Sequence, residues 1–270
     1  MAIHPTAIVH KGAEIDPTAE IGPLCVIGPR VKIGRETKLL SHVSVDNDTT
    51  IGAKNVIHPF VALGGPPQDL KFKGEPARVI IGDDNVIREG VTINMGTAGG
   101  HMETRIGSRC LLMAYAHVAH DCIIGDNVIM ANSATLAGHV TLEDEVRISG
   151  LAAIHQFVRI GRAAFLAGGA MVAQDIPPWC IAQGDRAELA GLNVVGLKRG
   201  GWSRERLGAL RECFKMIFYP ERTRAEGIDR AEQELAPKSK DAAELVAFVR
   251  ASKRGVASAR PLGANEPDET

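Results

Sequence analysis

Aromatic side chains are scarce in this 270-residue chain: Phe, Tyr and Trp make up 4% of it, although 45% of the residues are hydrophobic. A core of that size normally uses aromatic rings freely, so the interior must suit narrow side chains. An excess of one charge is also missing. Lys and Arg number 31 against 32 Asp and Glu, a net charge of -1, which removes the overall basic balance that draws proteins to nucleic acid or anionic membranes. No apolar run approaches the roughly 20 residues of a membrane span, and the opening MAIHPTAIVHKG lacks the basic start and apolar stretch of a secretory signal. The five cysteines (Cys25, Cys110, Cys122, Cys180, Cys213) are odd in number and show no CxxC spacing. They read as small buried thiols of a reducing compartment, so a cytoplasmic protein with no integral membrane segment and no nucleic-acid partner is expected.

What is abundant is glycine, 29 residues, and a period of six. Stepping by six from Ile3 gives Val9, Ile15, Ile21, Ile27, Ile33, Leu39, Val45, Ile51, Ile57 and Leu63. A second frame runs Ile81, Ile87, Ile93, and a third runs from Ile106 to Val172. All are aliphatic or Met. Twelve consecutive hits in a fixed frame would arise by chance roughly once in ten thousand trials at this composition. Gly follows the aliphatic at 22, 28, 34, 52, 64, 82, 107, 125 and 161, and a small or β-branched residue stands four places after it (Ala19, Cys25, Val31 and onward). Three such units make a triangular coil of eighteen residues, and coils stack at about 4.8 Å. A mainly β fold is expected, a parallel β-helix of hexapeptide repeats over residues 1–185.

Two segments break the frame. Residues 64–80 put Asp69 and Glu75 where aliphatics belong, and residues 95–105 shift the phase and are rich in Gly. Both are expected to loop out, and long excursions from a rigid repeat are commonly functional. The repeat ends at QDIPPW, residues 174–179, where two prolines stop the strands. A small α-helical C-terminal domain is expected over 186–254. In it Ser203 caps one helix, Thr223 and Glu226 form a capping box for a second, and a third runs near Asp241–Ser252. Residues 255–270 read as a disordered tail.

Histidine carries the chemical signal. Modulo eighteen, His117, His120, His139 and His155 fall at 9, 12, 13 and 11, on one face of three successive coils. Stacked imidazoles suit zinc, as in the γ-class carbonic anhydrases, or one neutral imidazole suits proton abstraction. The order AHVAHDC favours the second, because Asp121 directly follows His120 and can hold its ring, and no sulfur or carboxylate cluster completes a metal shell.

The segments GGPPQDLKFKGEP, AHVAHDC, ATLAGHV, AAIHQF, AQDIPPW and GLNVVGLKR resemble the acyl-[acyl carrier protein]–UDP-N-acetylglucosamine O-acyltransferases of lipid A synthesis, over nearly the whole chain. The resemblance implies a left-handed β-helix, a homotrimer with active sites between adjacent prisms, and transfer of a 3-hydroxyacyl chain from acyl carrier protein to UDP-N-acetylglucosamine. It implies no metal and no organic cofactor. His120 matches the general base, with Asp121 as its support, and Gly138 matches the backbone donor to the oxyanion. Gln68, Asp69 and Lys71 match residues that hold the sugar and acyl ends. His117, His139, His155 and Gln156 match the cleft lining, Gly168 the acyl-length ruler, and Asn193, Lys198 and Arg199 the nucleotide end. Three departures stand out: Asn94-Met95 where a His-Arg pair is common, Val195 in place of an acidic residue, and Gly200 in place of a second Arg. The loss of charge at Asn94-Met95 raises an alternative acceptor, the 3-amino analogue of the same sugar nucleotide. A different acyltransferase of this fold, using acetyl-CoA, would lack the QDLK and GLNVVGLKR segments. A non-catalytic hexapeptide protein would not need His120.

Overall fold

The computed structural model describes residues 2–261. Strands of two to four residues recur with the six-residue period and pair in parallel, each with the strand one coil away. The partners are 18 residues apart at Ala2↔Glu20 and Ile3↔Ile21. Among the described residues this gives three sheets of 11, 9 and 8 strands, the three walls of a left-handed parallel β-helix. The frame residues from Ile21 to Val172 fill its interior, nearly all with no more than 3% of their surface exposed. The companions Ala19, Cys25, Val31, Thr37, Ala116 and Cys122 are equally buried. Only narrow side chains fit between walls this close, which accounts for the scarcity of aromatics.

The walls meet at corners where non-glycine residues take left-handed dihedrals. Leu24, His42, Phe60, Tyr115, Ser133 and Leu151 form one edge of the prism, and Asp121, His139 and Phe157 another, all with φ between 54° and 66°. That conformation costs an L residue roughly 1–2 kcal/mol, and the stacked coils offset it with corner hydrogen bonds such as His139 N–H to His120 O (3.0 Å).

Both excursions are present and slightly shorter than expected. Pairing partners are 30 apart at Val56↔Val86 and 25 apart at Thr92↔His117, so the excursions insert twelve and seven residues into the eighteen-residue repeat. They leave the sheets between Ala62–Gly65 and Arg78–Ile81, and between Thr92–Asn94 and Glu103–Ile106.

The C-terminal third departs from expectation in two places. The prolines at 177 and 178 do not end the sheet, because Cys180–Gln183 rejoins it and pairs antiparallel with Glu188–Leu192. Buried Leu189 and Leu192 hold this hairpin on the prism. Helices therefore begin at 194 and not at 186, with α1 (Val194–Arg199), α2 (Arg204–Phe218), α3 (Arg224–Glu234) and α4 (Lys240–Ala251). Ser203, Thr223 and Ser239 cap the last three through side-chain oxygens. Leu207, Leu210, Phe214 and Phe218 form the buried face of α2.

The tail is the second departure. Residues 255–260 run as a strap across the end of the prism: Asp175 N–H donates to Gly255 O (2.9 Å), Leu189 N–H to Ser258 O (2.8 Å), and Tyr219 OH to Arg260 O (2.8 Å). Val256 and Ala257 within it are buried. A segment with so few large side chains gives no core signal, and its pairing runs through the backbone. The remainder of the expected tail, 262–270, lies outside the described residues.

Candidate active site

The eighteen-residue coil turns sequence spacing into geometry at the edge that carries Asp121. His120, Gly138 and Gln156 stand in one row along the prism axis, with Asp121, His139 and Phe157 in the row beside it. Adjacent coils place row members about 4.8 Å apart.

Asp121 is 1% exposed, and its carboxylate accepts four hydrogen bonds. Thr97 N–H (3.1 Å) and His101 N–H (2.8 Å) reach Oδ1, while the Thr97 hydroxyl (2.6 Å) and His120 Nδ1–H (2.9 Å) reach Oδ2. Burial opposes its charge, yet the bonds from Thr97, His120 and His101 outweigh burial and hold the carboxyl below the ordinary aspartate range. An ionised partner at Nδ1 fixes the proton there, so His120 Nε2 carries the lone pair.

Gly138 is packed under that imidazole. A Cβ on it would stand 2.5 Å from His120 Cε1 and 2.6 Å from Nε2. The His139 ring meets the His120 ring edge-on at 5.0 Å and stacks on Phe157 at 4.4 Å. Burial lowers the His139 pKa, aided by His120 and His101 and opposed by Asp121 and Asp69. His117, beside Thr92 Oγ1 at 2.7 Å, is likewise lowered by burial. Both are neutral near pH 7. Imidazoles of this kind can move protons and donate single hydrogen bonds without adding charge.

His120, Asp121 and His139 offer ligand atoms within 4.8 Å of one another, a spacing that could hold a metal ion. Asp121 Oδ2, however, is already engaged by Thr97 and His120. A cation would have to break the His–Asp link, so the donor set fits a proton-transfer dyad better than a metal centre.

The other expected site residues are spread over the surface. In the first excursion Asp69 Oδ1 accepts from Lys71 N–H (2.9 Å), which turns the loop and leaves Gln68, Leu70 and Lys71 exposed. Asn94 is 8% exposed and its Oδ1 is buried without a partner among the described residues; Met95 beside it is buried in the core. His155 and Gln156 are exposed, with Arg254 donating to His155 Nδ1 (2.8 Å). Gly168 is exposed beside Leu151 on the Tyr115 edge, away from the His120 edge. Asn193 caps α1: its Oδ1 accepts from Gly196 N–H (3.1 Å) and its Nδ2 donates to Ala163 O (3.2 Å). It also lines a groove of about 830 Å³ with Arg147, Arg162, Arg199 and Arg206. Val195 and Gly200 face that groove too, and Lys198 lies outside it, exposed.

Thr97, His101, Phe157 and Arg254 join these groups without having been expected from the sequence. The phase shift at 95–105 is the available signal for the first two, and the eighteen-residue spacing from Asp121 and His139 is the signal for Phe157; Arg254 follows only from its three-dimensional neighbours.

The prism, its corner dyad and its excursions define a transferase of the hexapeptide-repeat class, and residues 103–138 match the family model for bacterial transferase hexapeptide repeats. Residues 175–257 match the model described as UDP N-acetylglucosamine O-acyltransferase, domain 2. The chain is 52% identical to an acyl-[acyl-carrier-protein]–UDP-N-acetylglucosamine O-acyltransferase of Anaeromyxobacter sp. strain Fw109-5, over 95% of this chain and 99% of that one. It is 49% identical to that of Myxococcus xanthus, over 94% and 98%. Among solved structures, the UDP-N-acetylglucosamine acyltransferase of Francisella novicida superposes with a TM-score of 0.92 at 35% identity, over 98% of this chain and 95% of that one. The O-acyltransferase of Moraxella catarrhalis gives 0.91 at 39%, over 95% and 100%. The chain belongs to the acyl-[acyl-carrier-protein]–UDP-N-acetylglucosamine O-acyltransferase family.

Proposed function

We propose that the protein transfers a 3-hydroxyacyl chain from acyl carrier protein to the 3-hydroxyl of UDP-N-acetylglucosamine, the first step of lipid A biosynthesis. The observation that carries this reading is the His120–Asp121 pair with Gly138 one coil away. His120 Nε2 takes the proton of the sugar hydroxyl as its oxygen attacks the thioester carbonyl. The Gly138 N–H, which has no other acceptor among the described residues, donates to the tetrahedral oxyanion, a contribution of about 3 kcal/mol for donors of this kind. Collapse expels the carrier thiolate, which recovers the proton from the imidazolium. Thioester becomes ester and thiol, and the base is regenerated.

Gln68, Asp69 and Lys71 are assigned to the sugar and acyl ends, and Asn94, His117, His139, His155 and Gln156 to the cleft. Arg147 and Arg199 of the groove at Asn193 suit the diphosphate or the acidic carrier, while Arg162 and Arg206 there are already paired with Glu244 and Asp241. Asn94 Oδ1 is an acceptor that suits a hydroxyl and an amine alike, so nothing favours the 3-amino sugar over the hydroxyl acceptor named for the relatives.

The active unit is read as a homotrimer. His120, Gly168 and the Asn193 groove lie on different edges of one prism, and Leu24, Phe60, Tyr115 and Leu151, 51–70% exposed, make one edge apolar. Burying that edge between copies would bring separated parts of the site together. Among the described residues no helix is long and apolar enough to cross a membrane, and the five thiols are free, which supports a cytoplasmic location. Turnover of UDP-N-acetylglucosamine with 3-hydroxyacyl carrier protein by the purified protein tests the reading; a chain inert toward every such donor would refute it.

A further inference from the structure

The second excursion runs between two strands of the prism, after Asn94 and before Glu103. At the edge that carries the dyad, the equivalent corner residue two coils on, Phe157, is 53% exposed, whereas Asp121 is 1% exposed. The excursion packs directly over Asp121. Thr97 gives Asp121 both its backbone N–H and its hydroxyl, His101 gives its N–H, and Asp121 N–H donates to Thr104 Oγ1 (2.8 Å). Thr97 O in turn accepts from Gly100 N–H (3.1 Å) and Met102 N–H (3.2 Å), closing the loop into a turn. Gly100 lies against the carboxylate so closely that a Cβ there would fall 2.3 Å from Asp121 Cγ. The excursion is organised around that one group.

We propose that residues 97–104 are a clasp for the Asp121 carboxylate and that Thr97 is its positioning residue, acting on the proton transfer through Asp121 and His120. This rests on the His120 general-base reading. A carboxylate free to rotate would offer its oxygens to water as readily as to Nδ1–H, and His120 would lose the orientation and tautomer that leave the Nε2 lone pair free.

The test compares Thr97→Val and Thr97→Ser with the native enzyme in the acyl carrier protein assay. Loss of the hydroxyl in Thr97→Val should lower kcat by about ten- to a hundredfold, the range expected for a misplaced catalytic group, with both KM values within about twofold. Thr97→Ser should restore the rate. A Thr97→Val enzyme with native kcat overturns the clasp, as does an equal loss in Thr97→Ser. His120→Ala, run in parallel, separates the two ideas: an inactive His120→Ala beside a native-like Thr97→Val defeats the clasp alone, whereas an active His120→Ala defeats the reading beneath it.

Discussion

Gly138 and His120, one coil apart, are packed so that the glycine hydrogen occupies space no methyl could share: a Cβ would approach the imidazole to 2.5 Å. The residue proposed as the oxyanion donor thus also sets the position of the imidazole proposed as the base. Gly138 is not in the left-handed region, so alanine there costs little backbone strain and acts through the ring it displaces. Gly138→Ala should keep the fold and the melting temperature within a few degrees while lowering kcat about a hundredfold. Thermal unfolding and steady-state assays of the same preparation check this; native kcat would separate the two residues.

Stability should fall on acidification. His117 and His139 have pKa values lowered from 6.5, mainly by burial. The unfolded chain therefore binds protons first, and the stabilisation present above pH 6.5 is lost as pH falls toward the lowered values. Asp121, lowered from 3.8, adds a second loss only below that pH. Melting temperatures between pH 7.5 and 5 should decline, and less steeply in His117→Asn. An identical slope in that variant would contradict the assignment to His117.

The Tyr115 edge carries the assembly prediction. Tyr115→Glu with Leu151→Glu would place charges in an apolar contact, costing several kcal/mol. Light scattering should give a trimer mass for the native protein and a smaller species, without turnover, for the double variant. An unchanged mass would move the contact elsewhere.

Gly168 has open space around it; a Cβ added there would find its nearest atom, Gly150 O, at 3.7 Å. Gly168→Met should therefore fold normally and fill the space proposed for the end of the acyl chain. The preferred acyl chain should shorten, each excluded methylene being worth about 0.8 kcal/mol. Competition between carrier proteins bearing different chains reads this directly; unchanged preference would remove Gly168 from the ruler.

Legibility in the sequence follows the period. The frame from Ile21 to Val172, the two excursions and the nearness of His120 to His139 all reduce to counting by six and eighteen, because a rigid coil makes sequence distance a spatial coordinate. Where the coil is interrupted the coordinate fails. The bond from Thr97 to Asp121 spans 24 residues through an insertion, and no periodic rule places it. The strap at 255–260 pairs through its backbone, which composition does not report. The short helix α1 is hidden because Asn193 and Gly196 close a cap in a stretch too brief for a helical period. Gly168 stands out by resemblance alone, and the structure puts it on another edge, where only a neighbouring copy would bring it to the base.

The central claim is that His120, held by Asp121, is the base. Its most direct test is the single-turnover rate of acyl transfer to UDP-N-acetylglucosamine in His120→Ala, with folding and mass verified. His120 projects from the corner and lies outside the buried core, so the fold should persist while the rate falls at least about a hundredfold, the usual contribution of a proton-transfer catalyst. A folded His120→Ala enzyme that retained more than about a tenth of the native rate would contradict the account.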